Sequence, residues 1–517
     1  MKKIFLPIFI FLFTEILSAQ ITFQKTFGRA GGDCANNIQL TADGGYIIAG
    51  WTGTPGGSMQ DAALVKTDVN GDTLWTKSFG GNGDEYFRSV FPTADGGYIA
   101  IGSTNSGFPD NNLFLVKTDG AGNLAWSKTY SGPSEEIGND VKQTSDGGYI
   151  ITGQAGLADL YLLRTDSVGD TLWTKVFNGG RGESVVQAED GGFVVGGEIL
   201  AAGSETIDFY LIKTDSNGDT LWTKIYGSTD TETGNAMAAT SDGGYILAGS
   251  TISFGAGASD AYLVKTDSAG QLLWSKTYGG NSADAINSVQ ETLGGGYILA
   301  GNTLSFGSGM NDIYLLKTDD TGNLLWSETY GGTNTEYGYS VKPCTDGGFI
   351  IAGQTQSFGG GGQAEMYIIK TDSVGNAGCN QSSAATISTS PATLQSSFSK
   401  AIQPGGPIAI PATNISSGLT VTTICTTSGT ETLSANEKNE ISIFPNPSSG
   451  SFTIEFGNTI QGEIKIYNVM GEIIFRKNIS AASQKIFFSK NIPTGIYFLE
   501  VVDGEKCYSE KIAVNNH

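Results

Sequence analysis

Short runs of β-branched, aliphatic and aromatic residues, separated by clusters of Gly, Asp, Asn and Ser, fill most of the chain. Residues 45–50 (Gly-Tyr-Ile-Ile-Ala-Gly), 262–265 (Tyr-Leu-Val-Lys) and 273–278 (Leu-Trp-Ser-Lys-Thr-Tyr) typify them, with a further run around Ser340 and Val341. Runs of this length and make-up bounded by turn residues predict β-strands. Apolar spacing of a helical period is absent, so the pattern predicts an all-β protein.

The runs recur in a fixed order. Asp-Gly-Gly followed by Tyr or Phe begins at Asp43, Asp95, Asp146, Asp190, Asp242 and Asp346, and a degenerate Gly294-Gly295-Gly296-Tyr297 fills the remaining place. Successive spacings are 52, 51, 44, 52, 52 and 52 residues. A second phrase, Lys/Arg-Thr-Asp, occurs seven times, at Lys66, Lys117, Arg164, Lys213, Lys265, Lys317 and Lys370. A third places Trp at 75, 126, 173, 222, 274 and 326. Four short strands per repeat of about fifty residues is the arithmetic of a β-propeller blade.

There are six Trp copies but seven copies of the other two phrases, and the ends of the array account for the difference. Ile21-Thr-Phe-Gln-Lys-Thr-Phe27-Gly28 fits the Trp strand with Phe23 in the Trp place, while the last repeat stops at Asn376 without that strand. The first strand is therefore expected to complete the last blade beside Lys370, closing seven blades into a ring without free sheet edges.

The phrase Asp319-Asp-Thr-Gly322-Asn-Leu-Leu-Trp326 resembles the tryptophan-docking motif of quinoprotein-type propellers and, with longer intervals, the Asp-box of sialidase-like ones. As a set, the repeats resemble the Asp-Gly-Gly-Tyr propellers of exported Bacteroidota proteins. The likeness implies a fold and a structural Trp, not a quinone.

The charge balance, 29 − 51 = −22, argues against nucleic acid and anionic lipid as partners. The only histidine is His517, so His-based triads and His-ligated metals have no supply of ligands within the repeats. With 74 Gly and 10% aromatics, the composition suits tight turns joining packed strands, not disorder.

Six residues after the aromatic that ends each outer strand stands an acid: Asp33, Glu85, Glu136, Glu183, Glu232, Asp284 and Glu336. In a closed ring these begin the innermost strands near the axis, where they would either cap local amides or attract a cation, calcium being the one to test. Blade four reads as having a three-residue deletion just after Glu183, which is expected to displace that carboxylate. No other cofactor is expected. Asp68-Val-Asn70-Gly-Asp72 and Asp215-Ser-Asn217-Gly-Asp219 look like calcium loops, yet sister copies such as Asp267-Ser-Ala-Gly-Gln271 lack the alternating oxygens, so all seven read as hairpin turns. Trp51, Phe254, Phe306 and Phe358 lie in variable loops, either stacking on sugar rings or anchoring the loops.

At the N-terminus, Lys2-Lys3, the apolar run 4–13 and Leu17-Ser18-Ala19 read as a signal peptide spanning 1–19. No other stretch has the length and apolarity to span a membrane. The propeller is assigned to 20–378, a Ser/Thr-rich linker or small β-segment to 379–436, and a C-terminal domain to 437–517. Cys379 and Cys425 bracket the Ser/Thr-rich stretch and are the expected disulfide. Cys34 and Cys344 sit at strand levels too far apart to join.

Pro445-Asn446-Pro447 with Gly450, then Gly471, then Gly495 and Tyr497, and finally Lys511 fall in an order that resembles the type A C-terminal sorting domain of the type IX secretion system. The resemblance implies an immunoglobulin-like sandwich, the type IX machinery as partner, and a secreted or cell-surface destination reached through the periplasm. For the propeller, the reading is a non-enzymatic module binding a polysaccharide or protein. The alternatives are a carboxylate-dependent glycoside hydrolase-like enzyme, for which Glu198 and Glu205 in the divergent fourth repeat are the acids to inspect, and a purely structural surface protein.

Overall fold

A computed structural model describes residues 20–427, apart from 30, 54–58, 133, 157, 201–205, 360–362, 397–401, 404–407, 410–413 and 417–419, and beyond them seven C-terminal strands. The chain separates into two compact units, residues 1–430 and 431–517.

The first unit is a seven-bladed β-propeller. The seven innermost strands are Asp33–Leu40, Glu85–Pro92, Glu136–Gln143, Gly180–Gln187, Glu232–Ala239, Asp284–Glu291 and Glu336–Pro343, which begin blades one to seven. Each blade then meanders outward. The seventh is completed by the first strand of the chain, Thr22–Gly28, antiparallel to Glu365–Thr371 with Phe23 opposite Lys370.

Repeated phrases map onto repeated contacts. In blade one the Lys66 ammonium binds Asp43 at 2.9 Å, tying the third strand to the Asp-Gly-Gly turn. Burial works against the Asp43 charge, yet hydrogen bonds from Thr41, Lys66 and the Gly45 amide hold its pKa down to about 2. Blade six has Gly294 where the others have Asp, and Lys317 instead donates to the Gly295 carbonyl. Asp68 Oδ1 accepts the Asn70 and Asp72 amides at 2.9 Å each, so this motif is a turn closed on its own Asp. The outer Trp of each blade docks on the turn glycine of the next. A Cβ on Gly322 (φ +76°) would meet Trp274 at 2.7 Å, and one on Gly71 (φ +74°) would meet Phe23 at 2.6 Å, so Phe23 performs the Trp role across the seam.

Every blade has a fifth strand, which the repeats did not predict. Beyond the last blade the chain runs back around the rim as a belt of short strands. Gln381–Ser383 pairs with blade six, Ile387–Thr389 with blade five, Leu394–Ser396 with blade four and Ile402–Gln403 with blade three. Ile408–Ala409, Asn414–Ser416 and Thr420–Thr427 continue onto blades two, one and seven. Successive belt strands start six to eight residues apart, about 20–28 Å of extended chain. Thr386 and Thr393 mark the stride, bonding Ser327 (2.9 Å) and Ser275 (2.8 Å) of successive blades. Cys379 and Cys425 are disulfide-bonded, with Cα atoms 6.5 Å apart. The expected spacer or local strand pair is thus a hoop. Cys34 and Cys344 are both buried free thiols.

In the second unit, Ile441–Phe444, Ser451–Phe456 and Lys485–Ser489 form one antiparallel sheet. Gly462–Asn468, Ile473–Ile479, Gly495–Asp503 and Lys506–Val514 form another. Ile454, Ile464, Ile466, Tyr497 and Leu499 are buried. Two all-antiparallel sheets around an alternating apolar core are the arrangement of an immunoglobulin-like sandwich.

Candidate functional site

Inner strands of a propeller face its axis, and here each contains a β-bulge at its fourth residue. Pairing with the second strand skips Asn36, Arg88, Asn139, Glu183, Asn235, Asn287 and Tyr339 in blades one to seven. The bulge is possible because the second strand has Gly at the facing position. A Cβ on Gly50 would stand 1.8 Å from the Cys34 carbonyl oxygen, and one on Gly353 would stand 1.9 Å from that of Tyr337.

Four bulge residues are asparagines with one job. Asn36, Asn139, Asn235 and Asn287 donate to the carbonyls of Phe87, Gly182, Ile286 and Gly338 on the next blade, at 2.7–2.9 Å. The following position also bridges blades: Ser184, Ser288 and Asp140 accept the amides of Met237, Val341 and Val185 at 3.1 Å. Most of the axial lining is therefore architecture.

Three bulge residues break the pattern. Arg88, Glu183 and Tyr339 replace the amide and line a cavity of about 730 Å³ bounded by all seven inner strands. Lys142, Lys342, Asp140, Trp51 and Tyr86 line it too. Lys142 is bound to Asp140 at 2.6 Å, and Asp140 also accepts Ser89 (2.8 Å) and the Val185 amide (3.1 Å). Glu183 has Arg181 at 3.9 Å, and Arg181 reaches Glu198 at 3.7 Å. Burial pushes the Glu183 pKa up to about 8 against the pull of Arg88 and Arg181. Burial and the neighbouring Lys142 bring Lys342 down to about 8.

The seven acids of the sequence register part company here. Asp33, Glu85, Glu136, Glu232, Asp284 and Glu336 are the first residues of their inner strands, all buried. Each accepts the amide four residues earlier, as Glu85 does from Gly81 (2.8 Å) and Glu336 from Gly332 (2.9 Å). None of the six lines the cavity. Five of the six face a second acid from the preceding blade instead: Asp61 with Glu85, Asp208 with Glu232, Asp260 with Asp284, Asp312 with Glu336 and Glu365 with Asp33, while blade two has Asn112 at that place before Glu136. The glycine ending the outer strand makes room for both, since a Cβ on Gly227 would lie 1.8 Å from Asp208 and 2.5 Å from Glu232. Burial, then Glu232, pushes Asp208 well above the carboxylate range. Burial outweighs hydrogen bonds from Thr52 and the Arg29 amide and raises Asp33 to about 6. The expected seven-membered axial cluster is corrected to junction pairs. Glu183 leaves the register because blade four is shortened before its inner strand, which begins at Gly180. That shift carries the carboxylate to the bulge and into the cavity.

The loop aromatics are anchors in part. Phe254, Phe306 and Phe358 pack on Tyr262, Tyr314 and Tyr367 with ring centroids 5.6–6.0 Å apart. Trp51 meets Tyr86 edge-on at 6.0 Å, and both line the cavity. Glu198 is mostly buried beside Arg181, and Glu205 lies outside the described residues. Sequence reasoning missed Arg88, Tyr339 and Lys342. For Arg88 and Tyr339 the signal was there, as each departs from the Asn found at that repeat position in four blades.

Of the sorting-motif residues, Gly495 opens the strand Gly495–Asp503, Tyr497 is buried in it, and Lys511 pairs with Phe498. Pro445, Asn446, Pro447, Gly450 and Gly471 lie outside the described residues, as does the 1–19 leader. Among the described residues no helix is long and apolar enough to cross a membrane.

Comparisons with known proteins bear mainly on the second unit. Residues 442–515 match the model of the secretion system C-terminal sorting domain. Ulvan lyase NLR42 of Nonlabens ulvanivorans is 28% identical over 76 residues, 14% of each chain. An endo-acting ulvan lyase of Formosa agariphila is 29% identical over 89 residues, 16% of this chain and 17% of the relative. These matches span under a fifth of either relative. The crystal structure of Sqt1 from Chaetomium thermophilum superposes with a TM-score of 0.38 at 13% identity, over 63% of this chain and 81% of that one, and at that score carries no argument. The chain is an exported seven-bladed β-propeller that ends in a type IX secretion system C-terminal sorting domain.

Proposed function

We propose that this propeller is a non-enzymatic binding module, taking a segment of polysaccharide or protein into its axial cavity outside the outer membrane. The observation that carries the reading is the break in the bulge ring. Four blades keep the inter-blade amide, while Arg88, Glu183 and Tyr339 give it up and present other chemistry to a cavity of ligand size. Removal of the 1–19 leader, delivery by the type IX machinery and later loss of the sorting domain, with release or surface attachment, complete the proposed route. Calcium at the junction pairs is a separate arm to test.

A second reading rests on Glu183. A carboxyl that keeps its proton to about pH 8 suits a general acid. A glycoside hydrolase needs a second, unengaged carboxylate across the cleft, and Asp140 is tied to Lys142, Ser89 and the Val185 amide. The test is a glycan array on the secreted full chain, ulvan included because of the relatives' names, with and without calcium and with products followed by size. Retention without shortening supports the binding module. Depolymerisation supports the enzyme, and no retention of glycan or protein overturns both.

A further inference from the structure

We infer that the axial cavity recognises an acidic glycan, with Arg88 and Lys342 as separate contacts for its carboxylate or sulfate groups. This deepens the binding reading above and rests on it.

In a chain of net charge −22, six of the seven Lys/Arg-Thr-Asp cations are bound to the Asp of their own turn. Lys25, Lys128 and Lys175 are likewise committed, to Asp72, Asp170 and Asp219. Arg88 and Lys342 differ. Both line the cavity, and among the described residues neither side chain has a carboxylate within ion-pair distance or a hydrogen bond, though Arg88 acts on Glu183, and Asp140 on Lys342, through space. Each also stands where most other blades have a neutral side chain. Arg88 occupies the bulge place held by Asn in four blades. Lys342 is at the seventh strand position, which blade three fills with Lys142 and the other five with Gln39, Phe91, Val186, Ala238 and Gln290.

Arg88 is exposed and Lys342 half-buried, so an incoming anion can reach both as a counter-charge. The acids within reach do not supply it. Asp140 is bound to Lys142 and Glu183 stands beside Arg181, which leaves three cations, Arg88, Lys142 and Lys342, against two carboxylates in the lining. The lining therefore offers a net positive cavity inside an acidic protein, which selects anions by location as well as contact. Arg presents a planar fork matched to carboxylate or sulfate oxygens, and Lys adds a point charge. Asn, Gln and Ser donors with Trp51, Tyr86 and Tyr339 supply the hydroxyl and ring-face contacts a sugar uses, favouring a glycan over an acidic peptide.

The test is calorimetric titration of the full-length protein with tetragalacturonate, a sulfated galactan oligosaccharide, neutral galactotetraose and a tetraglutamate peptide. Arg88→Ala and Lys342→Met are each expected to weaken an acidic oligosaccharide by about tenfold or more, with the neutral sugar bound weakly by all forms. Gln290→Trp and Ala236→Trp, which fill the cavity from two different blades, separate the two levels of the reading once melting curves confirm folding. If the fillers abolish binding while Arg88→Ala and Lys342→Met do not alter it, the acidic specificity is overturned and the cavity site stands. If the fillers leave binding intact, the cavity site itself falls. Tighter binding of tetraglutamate than of either acidic sugar also overturns the inference, in favour of a protein ligand.

Discussion

Cys379 and Cys425 lie 46 residues apart in sequence and 6.5 Å apart at Cα, and between them the chain visits the outer edge of every blade. The first leaves the seventh blade; the second returns to it, paired opposite Gln24 of the strand that closes the ring. Both ends of the propeller array and the last belt strand therefore meet in one sheet, to which the disulfide ties the start of the belt. A ring held by its first strand alone opens when that strand peels away. Here the strand lies between Glu365–Thr371 and Thr420–Thr427, so it cannot leave from the edge until the belt has gone.

Removing the clasp should loosen the belt before the blades. Cys379→Ser frees a loop whose closure is worth about 4 kcal/mol in the chain-entropy model. The expected result is faster hydrogen exchange in 381–427 and in Thr22–Gly28, with a lower melting temperature. Unchanged exchange in both segments would show that strand pairing alone holds the belt.

Phe23 is the other half of the seam. It is fully buried and packs against the turn at Gly71, where the other blades use Trp. Phe23→Ala is expected to cost about 3–5 kcal/mol, measurable by denaturant titration. A loss under about 1 kcal/mol would mean that the seam is held by backbone pairing and not by the docked ring.

The ring was legible because it is written as repetition: seven copies of two phrases, six of the third, and a stray strand that fits the vacancy. The belt was not, since its strands are two or three residues long for most of their course and carry their pairing in backbone amides that any Ser, Thr or Ala supplies. The acid register was legible as a pattern but not as a direction. Side chains at the first residue of an inner strand lie at the blade junction, while the second, the bulged fourth and later residues supply the cavity lining. The repeated glycine at 50, 102, 153, 197, 249, 301 and 353 was the available sign of that bulge, being a strand-interior Gly where backbone approaches backbone.

The junction acids give the propeller a pH dependence of defined sign. Asp33 and Asp208 have folded pKa values raised above the ordinary carboxylate value, by burial first and by the paired acid after it. The folded state then binds more protons than the unfolded one. Stability from these groups is complete below about pH 4 and is lost as pH rises through about 6 and beyond. Melting temperature should fall between pH 5 and pH 8 in chelator, and Asp208→Asn should flatten the slope and raise the value at pH 8 by a few degrees. Calcium that restores the pH 8 value in the parent but not in Asp208→Asn would mark the junctions as cation sites. A melting temperature independent of pH would show the pairs to be hydrated and uncoupled.

The bulge ring sets stability against function at a single residue. Arg88 stands where Asn36, Asn139, Asn235 and Asn287 each donate to the next blade, and the corresponding acceptor beside it is the carbonyl of Gly138. Arg88→Asn restores the repeat's own solution at that junction. One recovered hydrogen bond is worth about 0.5–1.5 kcal/mol, so the variant is expected to melt higher than the parent while retaining the fold. If Arg88 is kept for a ligand, the same substitution must weaken acidic-glycan binding, as at sites where function holds stability below its optimum. The informative measurement is the pair of numbers on one preparation: melting temperature up and affinity down. Destabilisation by Arg88→Asn would mean that Arg88 has a structural partner and that its departure from Asn has no bearing on binding.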